Sequence, residues 1–171
     1  GISLDSPILV QRHLNSLLLS HFLRLQSKNG KLMQLTLEWW MFPIGESHQA
    51  RFTAWCECFD PSKNPDLQNG ITDLIRRTIF EGRSTSALVA DAGRSFSQHA
   101  KVWMQEFDAI KQQMDSLIKR SEEDKVPMKA LEIQLARIKG EYLLRELATS
   151  GVLPGYGFPT DITTFETLNK D

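Results

Sequence analysis

The sequence predicts a mainly all-α fold: a helical bundle with a long antiparallel helical hairpin and a short C-terminal extended or strand segment. Three observations predict it. Apolar residues recur three and four apart through most of the chain, helix starts and stops bracket those runs, and a heptad seam occupies the second half. The expected organisation is a bundle over residues 1–93, a hairpin over 94–150, and a linker with a strand over 151–171 that leads toward a further domain.

The first helix begins at Asp5-Ser6-Pro7, where a capping side chain precedes a proline whose missing N–H costs nothing. Ile8, Leu14, Leu17, Leu18, Phe22 and Leu25 follow at helical spacing, and Asn29-Gly30 is its stop. Leu32, Leu35, Trp39 and Phe42 form one stripe before Pro43 and Gly45, which reads as a short helix on the first, with a strand at Leu35 to Trp40 as the alternative. Phe52, Trp55 and Phe59 mark a third helix, and Asp60 to Pro65 a loop. The next helix is expected from Pro65 to about Phe80, with Leu67, Ile71, Leu74, Ile75 and Ile79 inward and Gly82 at its close.

Phe96, Trp103, Phe107, Ile110, Met114 and Leu117 are spaced seven, four, three, four and three, the pattern of a heptad seam on a long helix. Residues 121–127 interrupt it, and Leu131, Leu135, Ile138 and Tyr142 resume it, with Leu143 and Leu147 as a continuation. So short a connection makes the two helices antiparallel. Gly151 serves as the stop, and Pro154 and Pro159 forbid continuation. Residues 160–168 alternate and are β-branched, as in a strand, but have no evident partner strand here. An orphan edge strand, together with the absent initiator Met and Gly1 as a remnant of tag removal, suggests a piece of a longer polypeptide.

Twenty Lys and Arg stand against 21 Asp and Glu, so no global field draws the chain to nucleic acid or to an anionic membrane. No run approaches a membrane span and no signal peptide opens the chain, so no membrane partner and a cytoplasmic location are expected. Cys56 and Cys58 are the only cysteines and read as reduced thiols, one of them buried.

No phosphate-cradling Gly-x-x-x-x-Gly-Lys-Ser/Thr, no His-Glu-x-x-His and no Gly-x-Ser-x-Gly elbow occurs. His13, His21, His48 and His99 are scattered, and Glu122-Glu123-Asp124 reads as a solvated turn. Neither catalytic nor metal-ligating residues are therefore assigned, and no cofactor is expected in this chain. Trp39, Trp40 and Trp55 are read as core. Basic residues cluster at Arg76-Arg77 with Arg83, and from Arg94 to Lys101 beside Trp103. A solvated helix face is the simpler reading; the alternative is phosphate binding beside a stacking aromatic.

Two segments carry a family resemblance. Residues 7–19, Pro-Ile-Leu-Val-Gln-Arg-His-Leu-Asn-Ser-Leu-Leu-Leu, with Phe22-Leu23-Arg24, resemble the Arg-His-x-Asn helix in the C-terminal region of large superfamily-2 DEAD/DEAH-box helicases. Residues 146–162, including Gly151-Val152-Leu153-Pro154-Gly155-Tyr156-Gly157-Phe158-Pro159, are similar to the stretch that precedes their cysteine-rich zinc-binding domain. The family includes bacterial DNA-repair helicases and the helicase of antiviral defence islands such as DISARM. The two segments span about a fifth of the chain.

The resemblance implies a non-catalytic accessory domain of an ATP-dependent DNA helicase, with ATP/Mg and zinc held only by other parts of the parent. Partners would be the remaining domains of the same polypeptide, DNA, or a protein bound through the hairpin. Arg12, His13, Arg76, Arg77, Arg94 and Lys101 are the candidate nucleic-acid-binding residues, with Arg12 and His13 making either a domain or a phosphate contact. A stand-alone helical protein–protein interaction module is the alternative.

Overall fold

The computed structural model describes residues 6–26, 31–119, 125–156 and 158. Among them the chain is all-α, as predicted, with seven α-helices and one isolated β-bridge. Helix α1, Pro7–Gln26, has proline in its first turn and sinks Val10, Leu14, Leu18, Leu19, Phe22 and Leu23 into the core. Ile8 and Leu25, expected inward, are exposed: they lie in the terminal turns of α1, outside its buried run from Val10 to Leu23. The Asn29-Gly30 stop lies outside the described residues.

The following stretch is neither one helix nor one strand. A 3₁₀ turn at Leu32–Gln34 leads to a bridge between Thr36 and Tyr142, and then to α2, Leu37–Met41. Thr36 belongs to both: its backbone lies in the bridge, and its hydroxyl accepts a hydrogen bond from the Trp39 amide as the helix cap. Leu32, Leu37, Trp40 and Met41 are the fully buried members, while Leu35, Trp39 and Phe42 pack at the edge.

Ser47 caps α3, His48–Glu57, by accepting from the Ala50 amide. A 3₁₀ turn at Pro61–Lys63 precedes α4, Pro65–Ile75. Helix α4 is shorter than its apolar pattern suggests. The Thr78 hydroxyl donates to the Ile75 carbonyl and accepts from the Phe80 amide, while Arg77 adopts a left-handed φ of 62°. These local bonds offer the backbone an alternative to another helical turn. Ile79 is consequently 56% exposed rather than inward.

Helix α5, Thr85–Ile118, starts behind the Ser84 cap. Phe96, Trp103, Phe107 and Ile110 of the seam are buried, while Met114 and Leu117 remain half-buried. Toward its C-terminal end the pairing with α6, Lys125–Lys139, is a thin two-helix seam, so no described α6 side chain is fully buried. The seam does not run on past Ile138 as one helix. Leu37 N–H donates to the Glu141 carbonyl and Leu143 N–H to the Leu35 carbonyl, and this strand-like pairing breaks the chain after α6. A separate α7, Leu143–Thr149, follows with Leu143, Leu144 and Leu147 buried.

The core is aromatic at its centre. Phe22, Trp40, Phe52 and Phe96 meet there, with Phe52 at ring distances of 5.2 Å from Phe22, 5.8 Å from Trp40 and 4.8 Å from Phe96. Burial of such a ring contributes about 2–3 kcal/mol. Helix α3 lies along α5, where Gly93 admits the backbone bearing Cys56. Burial, and secondarily Glu57, push the Cys56 thiol up to about 12, so it packs as a small hydrophobe; Cys58 is exposed. Trp40 is core as expected, whereas Trp39 and Trp55 are half-buried at its margin.

Candidate functional site

The best-defined polar constellation joins α1 to the turn that closes α7. Gly151, at φ 82°, takes the left-handed conformation that ends the helix, its amide bonding the Ala148 carbonyl and the Val152 amide the Leu147 carbonyl. This Schellman arrangement leaves the carbonyls of Gly151 and Val152 facing α1. Arg12 donates from Nε to the Gly151 oxygen at 2.9 Å, and buried Asn15 donates from Nδ2 to the Val152 oxygen at 2.9 Å. Gln11 Nε2 donates to Asn15 Oδ1 at 2.9 Å, which fixes the amide's orientation. Positions 11, 12 and 15 share one polar face of α1, since three- and four-residue steps return to the same side.

A cation beside the C-terminal end of α7 also meets the negative pole of that helix. Glycine is favoured here by its left-handed φ, since the neighbour is the movable end of the Arg12 side chain. A Cβ at position 151 would lie 3.1 Å from Arg12 Nη2.

The sequence-predicted basic residues are distributed over several elements. Arg12 lines a groove with Ile8, Phe80 and Ser95, whereas His13 faces a different groove, with Ser16, Gly70 and Asp73 between α1 and α4. Arg76, just past α4, pairs with Asp73 at 2.9 Å, and Arg94 on α5 pairs with Asp91. Arg77 donates its backbone amide to Glu81, and Lys101 is exposed on α5. Among the described residues no group of three His, Cys, Asp or Glu could hold a metal ion. No described helix is long and apolar enough to cross a membrane. The Glu122-Glu123-Asp124 turn and the strand at 160–168 lie outside the described residues.

Sequence reasoning missed a cleft on the far side of the same closing turn. It has a volume of about 460 Å³, and its walls are Met33 after α1, Leu144, Arg145 and Ala148 of α7, and Leu153, Pro154 and Tyr156. The signal was present in the aromatic residues of the Gly/Pro stretch, which a stop signal alone does not require.

Three histidines sit against tryptophans: His48 stacks on Trp39 at 3.8 Å, His21 on Trp55 at 5.9 Å, and His99 meets Trp103 edge-on at 4.5 Å. Burial lowers all three pKa values from 6.5, aided by Arg24 at His21 and by Arg51 at His48, and opposed by Asp66 at His21 and by Glu106 at His99. His48 Nδ1 is buried with no hydrogen-bond partner among the described residues, which further disfavours a proton there. A depressed folded-state pKa means that the unfolded chain binds protons first on acidification. Stability should therefore be highest above pH 6.5 and fall below it. Thermal melts at pH 7.5 and 5.5 check this, and an unchanged midpoint in a His21→Asn, His48→Asn, His99→Asn variant would assign the loss to these rings.

Compared with known proteins, the chain matches no protein-family model, no curated protein and no solved structure. The class defined by fold and site is a helical bundle with a side-chain latch between its first helix and its closing turn.

Proposed function

We propose that the chain is a non-catalytic accessory domain of an ATP-dependent DNA helicase or translocase, in which it braces the domains joined to its two ends. The observation that carries this is the meeting of the two segments that resemble that family. Arg12 and Asn15 of the Arg-His-x-Asn stretch reach the carbonyls of Gly151 and Val152, 139 and 137 residues away.

Val152 and Leu153 are buried and hydrogen-bonded at this turn, so α1 anchors the base from which a following domain would be held. The bond from Arg12 to Gly151 is a contact within this bundle, and it supports a bracing role for Arg12 over phosphate binding. The exposed Arg77 and Lys101 are the predicted basic residues best placed to add a DNA contact.

Mass spectrometry of the native polypeptide that carries this sequence tests the reading, with ATPase motor peptides expected in the same chain. A native polypeptide without them overturns it. Within that polypeptide, Arg12→Ala with Asn15→Ala should leave DNA-stimulated ATP hydrolysis and the salt slope of DNA binding in place while lowering strand separation severalfold. A reduced salt slope would assign Arg12 to phosphate instead.

A further inference from the structure

We infer that the cleft beside α7 is a docking site for a segment of a second polypeptide that places an apolar side chain next to a carboxylate. The inference does not depend on the accessory-domain reading. The cleft's volume of about 460 Å³ lies in the range that holds one or two large side chains or a small ligand.

Its lining combines a thioether, aliphatic groups and an aromatic ring. Met33 is 40% exposed and Tyr156 85% exposed, so both present apolar surface to solvent at the opening. Methionine adapts its shape to varied partners, and Tyr, Met and Arg are the residue types enriched at protein contacts. The opposite wall is pre-formed. Leu153 is buried and its amide bonds the Leu147 carbonyl, while Val152 before it is held by Asn15. A preorganised wall loses little entropy on binding.

Charge selects the occupant. Among the described residues Arg145 is the only ionised side chain lining the cleft, and its guanidinium lies 5.3 Å above the Tyr142 ring. It forms no ion pair with a carboxylate among the described residues, although Glu146 is near enough to feel its field. A carboxylate entering beside an apolar anchor would pair with Arg145 while the anchor fills the space between Met33 and Leu153.

The test uses the isotopically labelled 171-residue chain and the blocked pentapeptide acetyl-Gly-Asp-Leu-Phe-Gly-amide, followed by amide NMR. Shifts are expected at Met33, Arg145, Ala148 and Tyr156, with a dissociation constant on the order of 1 mM. Exchanging Asp for Asn in the peptide, or Arg145→Gln in the protein, should weaken binding at least about fivefold, as loss of a charge-assisted bond implies. Tyr156→Ala should weaken it while leaving the melting midpoint unchanged.

Absence of shifts at about 5 mM peptide, well above the expected constant, overturns the inference, as do shifts centred elsewhere or equal affinity for the Asn peptide. Binding only by a chain shortened after Phe158 would assign the cleft to the chain's own following residues. Self-association abolished by Tyr156→Ala would assign it to a second copy. Either outcome overturns a foreign segment as the occupant.

Discussion

Gly93→Ala should lower the melting midpoint by roughly 6–10 °C, corresponding to about 2–3 kcal/mol for a chain of this size. On helix propensity alone the change would stabilise α5 by about 1 kcal/mol, so the sign of the effect decides between local and tertiary control. Tertiary control is expected to win. A Cβ at position 93 would lie 2.6 Å from Cys56 Cβ and 3.4 Å from its Sγ, with the Thr53 carbonyl oxygen at 3.7 Å.

The nearest obstacle is a Cβ fixed to the α3 backbone rather than the end of a flexible side chain, so relief requires α3 and α5 to separate. Their separation would loosen the contact of Phe52 with Phe96. Cys56→Gly in the Gly93→Ala background removes the obstructing carbon and should restore part of the loss, whereas Cys56→Ala, which keeps that carbon, should not. A Gly93→Ala midpoint at or above the parent's would refute the close approach.

The second large effect is expected at Asn15. Asn15→Asp replaces the amide donor with a carboxylate oxygen facing the Val152 carbonyl, at a site where the side chain is buried. Stranding a charge there should cost about 3–5 kcal/mol at neutral pH, against about 2 kcal/mol for Asn15→Leu, which removes the bond without adding charge.

The pH dependence gives the two variants different signatures. Burial raises the folded-state pKa of the new carboxyl above its unfolded value, so its protonated form favours the folded chain. The deficit of Asn15→Asp relative to the parent should shrink as pH falls through that raised pKa, while the deficit of Asn15→Leu should stay constant. Chemical denaturation at pH 7 and pH 4.5 measures both. A deficit for Asn15→Asp that does not change with pH would show that the side chain is not buried against the turn. Hydrogen exchange should accelerate at Val152 and Leu153 in both variants, since their amides belong to the turn that Asn15 holds.

Much of the α-helical architecture was legible in the chain because it depends on neighbours a few residues apart. Phe96, Trp103, Phe107 and Ile110 repeat at the interval of a helix surface, and the structure buries all four. Gly151 stops α7 in the conformation that residue type favours. Local reasoning failed where a competing bond was equally local but stronger, as at Thr78, and where the chain met a distant partner. An apolar spacing at Leu35 to Phe42 could not show that Thr36 would face Tyr142 and split the segment into a 3₁₀ turn, a bridge and a helix.

The candidate site divides in the same way. Arg12 was singled out as a basic residue of the Arg-His-x-Asn stretch. Asn15 was part of a recognisable sequence pattern, but its role was not evident, because an amide gives no sign of which donor or acceptor it will meet. By itself the sequence determined the all-α class, the apolar stripe of the long helix α5, and the glycine stop at 151, all consequences of helical periodicity and backbone sterics. Only the tertiary structure decided that Arg12 and Asn15 would bind carbonyls more than 130 residues away, that Gly93 would admit α3, and that a cleft would open beside α7. Those contacts arise when separately formed elements are brought together by burial of a shared core, and no short-range pattern encodes which surfaces then meet.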